Sequence, residues 1–379
     1  ADFSSWGRTA KLTFTGYSGG ETLTNLPVLV VFSTNITNFS YAQFASSSNA
    51  DLRFADSTET NELSYEIDTW DTNGASFVWV QVPRLATSST YIRAFWNKAG
   101  QSAPAYTTNG ATWSANHRAV WHFRETGTAT RRDSTSNSFS ASPQNYEGDE
   151  STNAGCLGGA DYLDGTDTLK TSGTVVSGAG GSISLWMKSG ASGRDLYNTH
   201  SGGWNQNTLW FNAPALTCRI SDSTPNPGDV TYSGTLLDNA WHQVVVTWTA
   251  GGDRLLYTDG ALRGWLGSTK TFTPGADFEI GYKSWTPVNW IGMLDEIRVS
   301  SVPQSSNWVW STWMSTASNT VFTGYGEALV NGGPSIENRS PTNVTWTSAF
   351  LNGSLVSTGL AAATVSLYWG TNAGGTIAS

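Results

Sequence analysis

Alternation with a period of two dominates this chain. Six runs, Lys11–Phe14, Val28–Phe32, Asp51–Phe54, Leu63–Ile67, Phe77–Val82 and Tyr91–Trp96, carry apolar residues at every second position or in short blocks, and turn clusters such as Tyr17-Ser18-Gly19-Gly20 and Asp71-Thr72-Asn73-Gly74 separate them. Side chains alternate across a strand, so runs of this kind predict short β-strands, and strands at this spacing predict a β-sandwich. A second series follows at Ser182–Met187, Trp241–Trp248, Arg254–Asp259, Phe278–Gly281 and Ile291–Val299. A third lies beyond the linker Asn331-Gly332-Gly333-Pro334, where Val344 to Leu355 and Thr364 to Trp369 alternate again. The pattern divides the 379 residues into three all-β segments, 1–112, 113–326 and 327–379. Trp308, Trp310 and Trp313 are spaced first by two and then by three, which suits docking of one segment onto the preceding domain.

Composition narrows the partners. Only 13% of residues are charged, the net charge is −9 and lysine is scarce, so no basic stripe exists to neutralise a phosphate backbone, and nucleic acid and anionic membrane surfaces are excluded as partners. The longest strongly apolar run, Leu26 to Phe32, is far short of the ~20 residues that span a bilayer. An aromatic fraction of 12% with 19 tryptophans, in a chain rich in Gly, Ser, Thr and Asn, is the composition of a secreted all-β protein. In that setting the two cysteines, Cys156 and Cys218, point to one disulfide, the alternative being two buried thiols.

Three resemblances sharpen this reading. WGRTAKLTF, ETLTNLPVLVVF, DLRFADSTETNELSYEIDTWD, ASFVWVQVPRL and YIRAFWNKAG, all in segment 1–112, resemble a family of unknown function found in bacterial and archaeal surface proteins, which carries no established chemistry to transfer. SISLWM, WHQVVVTW, RLLYTD, FEIG and IGMLDEIRV in segment 113–326 resemble the concanavalin A-like, laminin G-like jelly roll. That resemblance implies two curved sheets forming a glycan- or protein-binding module, often with calcium. The family's Gly-rich Asp-Ser-x-Gly-Asn-Gly loop is here Asp133-Ser134-Thr135-Ser136-Asn137-Ser138, without its glycines. SPTNVTWTSAFLNGSLVSTG and TVSLYWGT resemble the first strands of an immunoglobulin-like repeat. Such a sandwich needs about seven strands, so this partial one is expected to be covered by the middle domain, by a continuation of the chain, or by a neighbouring copy in a head-to-tail fibre.

Candidate chemistry is sparse. The histidines His117, His122, His200 and His242 lack metal-site spacing, and no Gly-x-Ser-x-Gly elbow or phosphate loop occurs. Glu66 and Asp68, in Glu66-Ile67-Asp68-Thr69-Trp70-Asp71, would share one strand face about 7 Å apart and approach the carboxylate pair of a retaining glycosidase, the alternative being an exposed polar face. Asp295 and Glu296, adjacent on a strand, would point opposite ways; Asp295 could ligate calcium with Asp133. Trp204, Asn205 and Asn207 in SGGWNQN, with Trp285 and Trp290 in KSWTPVNW, place flat rings beside amides, as a neutral sugar or a protein contact requires. The sequence therefore predicts a non-catalytic, secreted or cell-surface protein acting in adhesion or as a fibre-forming homo-polymeric subunit, its jelly roll binding glycan. The alternative is a polysaccharide-active enzyme or its carbohydrate-binding appendage.

Overall fold

The computed structural model describes residues 1–358 except 153, 192–194, 204, 213, 223–227, 269, 283–288 and 333. The first unit is a sandwich of a five-stranded and a three-stranded antiparallel sheet. In the smaller sheet Ser76–Leu85 lies between Leu23–Phe32 and Tyr65–Thr69; in the larger, Arg8–Thr13 and Tyr91–Trp96 pair along their full length. Phe14, Val28, Val30, Phe32, Phe54, Val78, Val80 and Trp96 fill the space between them.

The second unit is a larger sandwich. One sheet has eight strands, ordered from Ala261–Leu266 through Arg254–Thr258, His242–Thr249, Gly180–Lys188 and Ile291–Ser300 to Ala160–Asp164 and Ser151–Thr152, with His117–Trp121 also beside Ile291–Ser300. We term it the inner sheet because it faces the first unit. The outer sheet has seven: Asp229–Tyr232, Ala215–Ser221, Asn205–Asn212, Asp195–Gly202, Asp277–Ile280, Thr168–Ser172 and Ala141–Gln144. Trp121 stacks on Phe278 across the core at 6.0 Å, and Trp248, Trp290, Leu209 and Phe211 complete it.

The strand Ile291–Ser300 changes partner part-way. Residues 291–294 pair with Ala160–Asp164 and residues 297–300 with His117–Trp121. At the changeover Glu296 has φ of 50°, a left-handed conformation costly for a residue with a Cβ, and the register with Gly180–Lys188 shifts. This bulge breaks the alternation, so Asp295 and Glu296 are both buried rather than one facing core and one facing solvent.

The chain then returns to the first unit, so the sequence boundary at 326 does not describe the packing. The helix Ser306–Ala317 is capped by Ser305, whose Oγ accepts from the Trp308 backbone N–H at 3.2 Å. Trp308, Trp310 and Met314 pack against the first unit's core, while Val309 inserts against Val245 and Tyr257 of the inner sheet. Phe322 and Ala328 enter the first core, and Gly324–Tyr325 and Leu329–Val330 pair with Arg8–Thr13. The first sandwich is thus closed by residues some three hundred positions downstream. The helix is wedged between the units as a tie.

Beyond it the described residues form a single hairpin, Pro334–Thr342 with Phe350–Thr358, which pairs with no other sheet. Ile336, Val344, Trp346, Phe350, Leu351, Leu355 and Val356 are all exposed on it. Thr364 to Trp369 lie outside the described residues. Cys156 and Cys218 are free thiols, which corrects the expected disulfide. Cys218 is sealed in the jelly-roll core, whereas Cys156 lies in a loop against Asp295, with its Sγ 3.1 Å from the carboxylate. Among the described residues no helix is long and apolar enough to cross a membrane.

Candidate functional site

Two places combine polar side chains with burial. The first is the outer face of the outer sheet. Leu209 and Phe211 of Asn205–Asn212 point into the core, so alternation sends Gln206, Thr208 and Trp210 the other way. The register sets Asn198 beside Thr208, and Thr208 beside Arg219. The middle of this face is buried: Asn198 and Thr208 have no exposed surface and Gln206 has 2%. Two ion pairs lie on it, Arg219 with Asp229 through two hydrogen bonds of 2.7 Å and Lys170 with Asp277 at 2.7 Å. The Asn198 amide donates to Glu279 at 3.0 Å and the Thr208 hydroxyl to the Tyr197 carbonyl at 3.1 Å. Asn198 Oδ1 and Gln206 Oε1 remain buried with no donor. They sit on diagonal neighbours of adjacent strands, roughly 7 Å apart by strand geometry. Trp210, half-buried with the Arg219 guanidinium 5.2 Å from its ring centre, borders them.

The second place is the joint between the units, where a cluster of charges is sealed from water. Glu66 and Asp68 come from Tyr65–Thr69 of the first unit, and Asp295, Glu296 and Arg298 from the inner sheet; His122 and Arg124 lie just after His117–Trp121. His122 Nδ1 is 2.5 Å from Glu296 and 3.8 Å from Asp68, and its Nε2 is 3.8 Å from Glu66. Glu66 also accepts from the Trp113 indole at 2.7 Å, Arg124 at 2.8 Å and Ser134 at 2.7 Å, and Arg298 donates to Glu296 at 2.6 Å while lying over the rings of Trp79 and Trp113.

Burial alone would raise the Glu66 carboxyl, but His122, Arg124 and Trp113 hold it down at about 2. Burial would lower His122, yet Glu296 and Glu66 lift it to about 10, so it is an imidazolium. Asp68 is raised to about 6 by burial, offset in part by His122 and reinforced by Glu296. Asp295 is pushed well up by burial and by Glu296 beside it. Glu66 borders a cleft of about 280 Å³ with Tyr65, Arg124, Arg132 and Ser134, but Asp68 is not in its lining. The two carboxylates are neither an exposed polar face nor a couple presented to one substrate; they are the first unit's share of an ionic lock.

No curated protein matches this sequence. Residues 163–310 match the profile of the concanavalin A-like lectin/glucanases superfamily. The second unit is a concanavalin A-like jelly roll. Residues 48–135 match a domain of unknown function, DUF2341, so that unit precedes the jelly roll in the chain and its match runs through Trp113, His122 and Arg124 of the joint. Among solved structures, domain 4 of AbnA, a GH43 extracellular arabinanase from Geobacillus stearothermophilus in complex with arabinotriose, aligns with a TM-score of 0.44 and 19% identity over 52% of this chain and 98% of that one. The botulinum neurotoxin serotype D binding domain aligns at 0.42 and 14% over 52% of this chain and 51% of that one, and the binding domain of botulinum neurotoxin DC in complex with SialylT at 0.41 and 12% over 53% and 51%. The chain spans about half the length of these neurotoxin domains.

Of the residues expected from sequence to bind a sugar, the described ones, Asn205, Asn207 and Trp290, do not share one exposed face. Trp204 and Trp285 lie outside the described residues. Asn205 sits at the hairpin opposite Gly202, whereas Asn289, beside Trp290, bridges Asp195, so Asn205 and Asn289 flank opposite ends of Asp195–Gly202, roughly 23 Å apart. Trp290 is a core residue with no exposed surface, stacked on Phe211 at 6.2 Å. Asn207 faces the core, where its Oδ1 accepts from the Tyr197 hydroxyl at 3.1 Å. Asn205 accepts from the Thr273 N–H at 3.3 Å.

The calcium pairing of Asp133 with Asp295 is also corrected. Asp133 is saturated by the Val120, Thr135 and Phe139 N–H groups and the Thr135 hydroxyl, all within 3.0 Å. Asp295 is taken by the Leu157 and Glu296 N–H groups and the Cys156 thiol. Asn198, Gln206, Thr208 and Trp210, by contrast, escaped the sequence reading. The signal was available in NQNTLWFN: two core residues at odd positions fix the face of the even ones.

Proposed function

We propose that this is a non-catalytic extracellular or cell-surface protein whose jelly roll binds a neutral glycan on the outward face of its outer sheet. The observation that carries the reading is the pair of buried amide oxygens, Asn198 Oδ1 and Gln206 Oε1, that lack a donor. Leaving a buried acceptor unmade is costly, and a sugar hydroxyl supplies the missing hydrogen bond without bringing a charge to the face. Trp210 gives an apolar edge beside them, the usual complement to a few placed polar groups. The superfamily name, lectin/glucanases, supports the same class of ligand. Catalysis is disfavoured because Glu66 and Asp68, the strongest acid pair, are committed to the joint.

The test is a broad glycan array followed by calorimetric titration of the best neutral oligosaccharide. The double variant Asn198→Ala/Gln206→Ala is expected to bind it at least ~10-fold more weakly, since each hydrogen bond contributes about 0.5–1.5 kcal/mol. Silence across the array, or an unaltered affinity in the variant, would end the reading.

A second reading, subunit contact leading to polymers, is favoured by the hairpin Pro334–Thr358. A cluster of exposed apolar side chains of this kind marks an interaction surface. Sedimentation velocity is expected to show association rising with concentration, and Trp346→Ser/Phe350→Ser to remove it. A parent protein that stays monomeric at high concentration would exclude homo-polymerisation.

A further inference from the structure

The chain crosses between the two sheets of the jelly roll twice at one edge. Residues 145–150 carry it from Ala141–Gln144 in the outer sheet to Ser151–Thr152 in the inner one, and residues 165–167 carry it back from Ala160–Asp164 to Thr168–Ser172. The Asn145 amide ties the crossings together by donating to the Thr166 carbonyl at 3.2 Å. Where they meet, one carboxylate oxygen each from Glu147, Glu150 and Asp167 lies within 4.8 Å of the others.

Two of these carboxylates, those of Glu150 and Asp167, are held in place, while that of Glu147 is exposed. Glu150 accepts from the Glu147 N–H at 2.5 Å and the Gly148 N–H at 2.9 Å, and Gly148 has φ of 109°, a conformation that suits glycine. Asp167 accepts from the Asp164 N–H at 3.0 Å through Oδ2. Its other oxygen, Oδ1, is buried with no partner, and Asp167 as a whole is 1% exposed and Glu150 2%. No ion pair among the described residues involves Glu147, Glu150 or Asp167. The charged groups that face Asp167 at this edge, Asp164 and Glu150, are also carboxylates. Buried carboxylates are normally paired or coordinate a metal, so this concentration of negative charge lacks its counterpart.

We propose that Glu147, Glu150 and Asp167 form a calcium site that pins the two crossings together and closes this edge of the jelly roll. All the donors are oxygens, which selects a hard cation over zinc or copper, and irregular crossing loops suit calcium, which takes six to eight oxygens in flexible geometry, better than magnesium, which demands a regular octahedron. Backbone carbonyls and water complete the shell on the side where Glu147 is exposed. The site lies on neither the glycan-binding face nor the joint.

The test uses the full chain in thermal scans with about 5 mM calcium, magnesium or EDTA, above the affinity range of extracellular calcium modules. Calcium is expected to raise Tm by at least ~3 °C over EDTA, with a much smaller response to magnesium, and calorimetry to give one site per chain. Asp167→Asn is expected to abolish the calcium shift while matching or exceeding the parent Tm in EDTA, because it removes an uncompensated buried charge. Equal Tm values of the parent in calcium and EDTA, an equal response to magnesium, or a calcium shift that survives in both Asp167→Asn and Glu150→Gln would overturn the assignment.

Discussion

Replacing His122 by alanine is expected to lower the stability of the folded chain by about 3–5 kcal/mol, the range for breaking a buried ion pair by removing one partner. The imidazolium lies between Glu66, Asp68 and Glu296, all nearly inaccessible to solvent, and its loss leaves three carboxylates sharing Arg124 and Arg298. Denaturant titration checks the size of the effect. A pH series checks its origin.

Three groups set that pH dependence. His122 is raised from 6.5 to about 10, so its contribution is complete below pH 6.5 and is lost as pH rises through that window. Glu66, lowered from 4.5 to about 2, contributes above pH 4.5 and loses its contribution as pH falls toward 2. Asp68, raised from 3.8 to about 6, binds its proton more tightly when folded and therefore loses a contribution as pH rises between those values. The joint should be most stable near pH ~4–4.5, fall away below that as Glu66 is protonated, and decline above it first through Asp68 and then through His122. His122→Gln should flatten the alkaline decline and also weaken the acid limb, because His122 is the first of the groups that hold Glu66 down, ahead of Arg124 and Trp113. An unchanged alkaline limb would remove the lock from the account.

Trp290→Ala is expected to cost about 3–5 kcal/mol, the range for truncating a large buried aromatic. Trp290 sits against Phe211, and its backbone N–H donates to the Gly281 carbonyl at 2.9 Å, so it anchors the start of Ile291–Ser300. Its indole nitrogen has no partner, so Trp290→Phe forfeits volume but no hydrogen bond and should retain most of the stability. Denaturant midpoints measure both variants. Glycan affinity of the Phe variant should be that of the parent; a stable variant that no longer bound sugar would return Trp290 to the binding site.

The contrast between Trp290 and Trp210 explains how far the site could be read in advance. Trp290 looked like a loop residue because its neighbours are polar, yet it shares parity with Leu294, a core residue. The inward parity then jumps from Leu294 to Ile297, which is what a bulge between them produces. Trp210 looked like one aromatic in a strand, yet the core positions of Leu209 and Phe211 turn it outward. Period and parity were therefore sufficient for which face a side chain takes. They could not give what stands opposite it, so the joint's Glu66 and Asp68 looked like a solvent-facing pair until the jelly roll was placed against them.

The helix Ser306–Ala317 marks the other boundary. Ser, Thr and Trp are indifferent helix formers, so NWVWSTWMSTA carries no strong local preference for a helix. Contact with two sandwiches at once, Trp308 and Trp310 on one side and Val309 on the other, stabilises it there. The cysteines teach the same lesson, since an even count says nothing about the distance between Cys156 and Cys218.

The sequence by itself determined the strands of the first unit, the all-β class and the order of the units, because those follow from alternation between neighbours a few residues apart; in the jelly roll it marked five strands, and others, such as Asp195–Gly202, Asn205–Asn212 and Ala215–Ser221, came only with the structure. Only the tertiary structure decided that residues 306–331 close the first sandwich, that His122 is locked among carboxylates from both units, and that Asn198 and Gln206 lie buried side by side while Glu147, Glu150 and Asp167 share an edge. Each of these rests on burial and on contacts between distant stretches of chain, and local periodicity carries no record of which distant stretch removes a side chain from water.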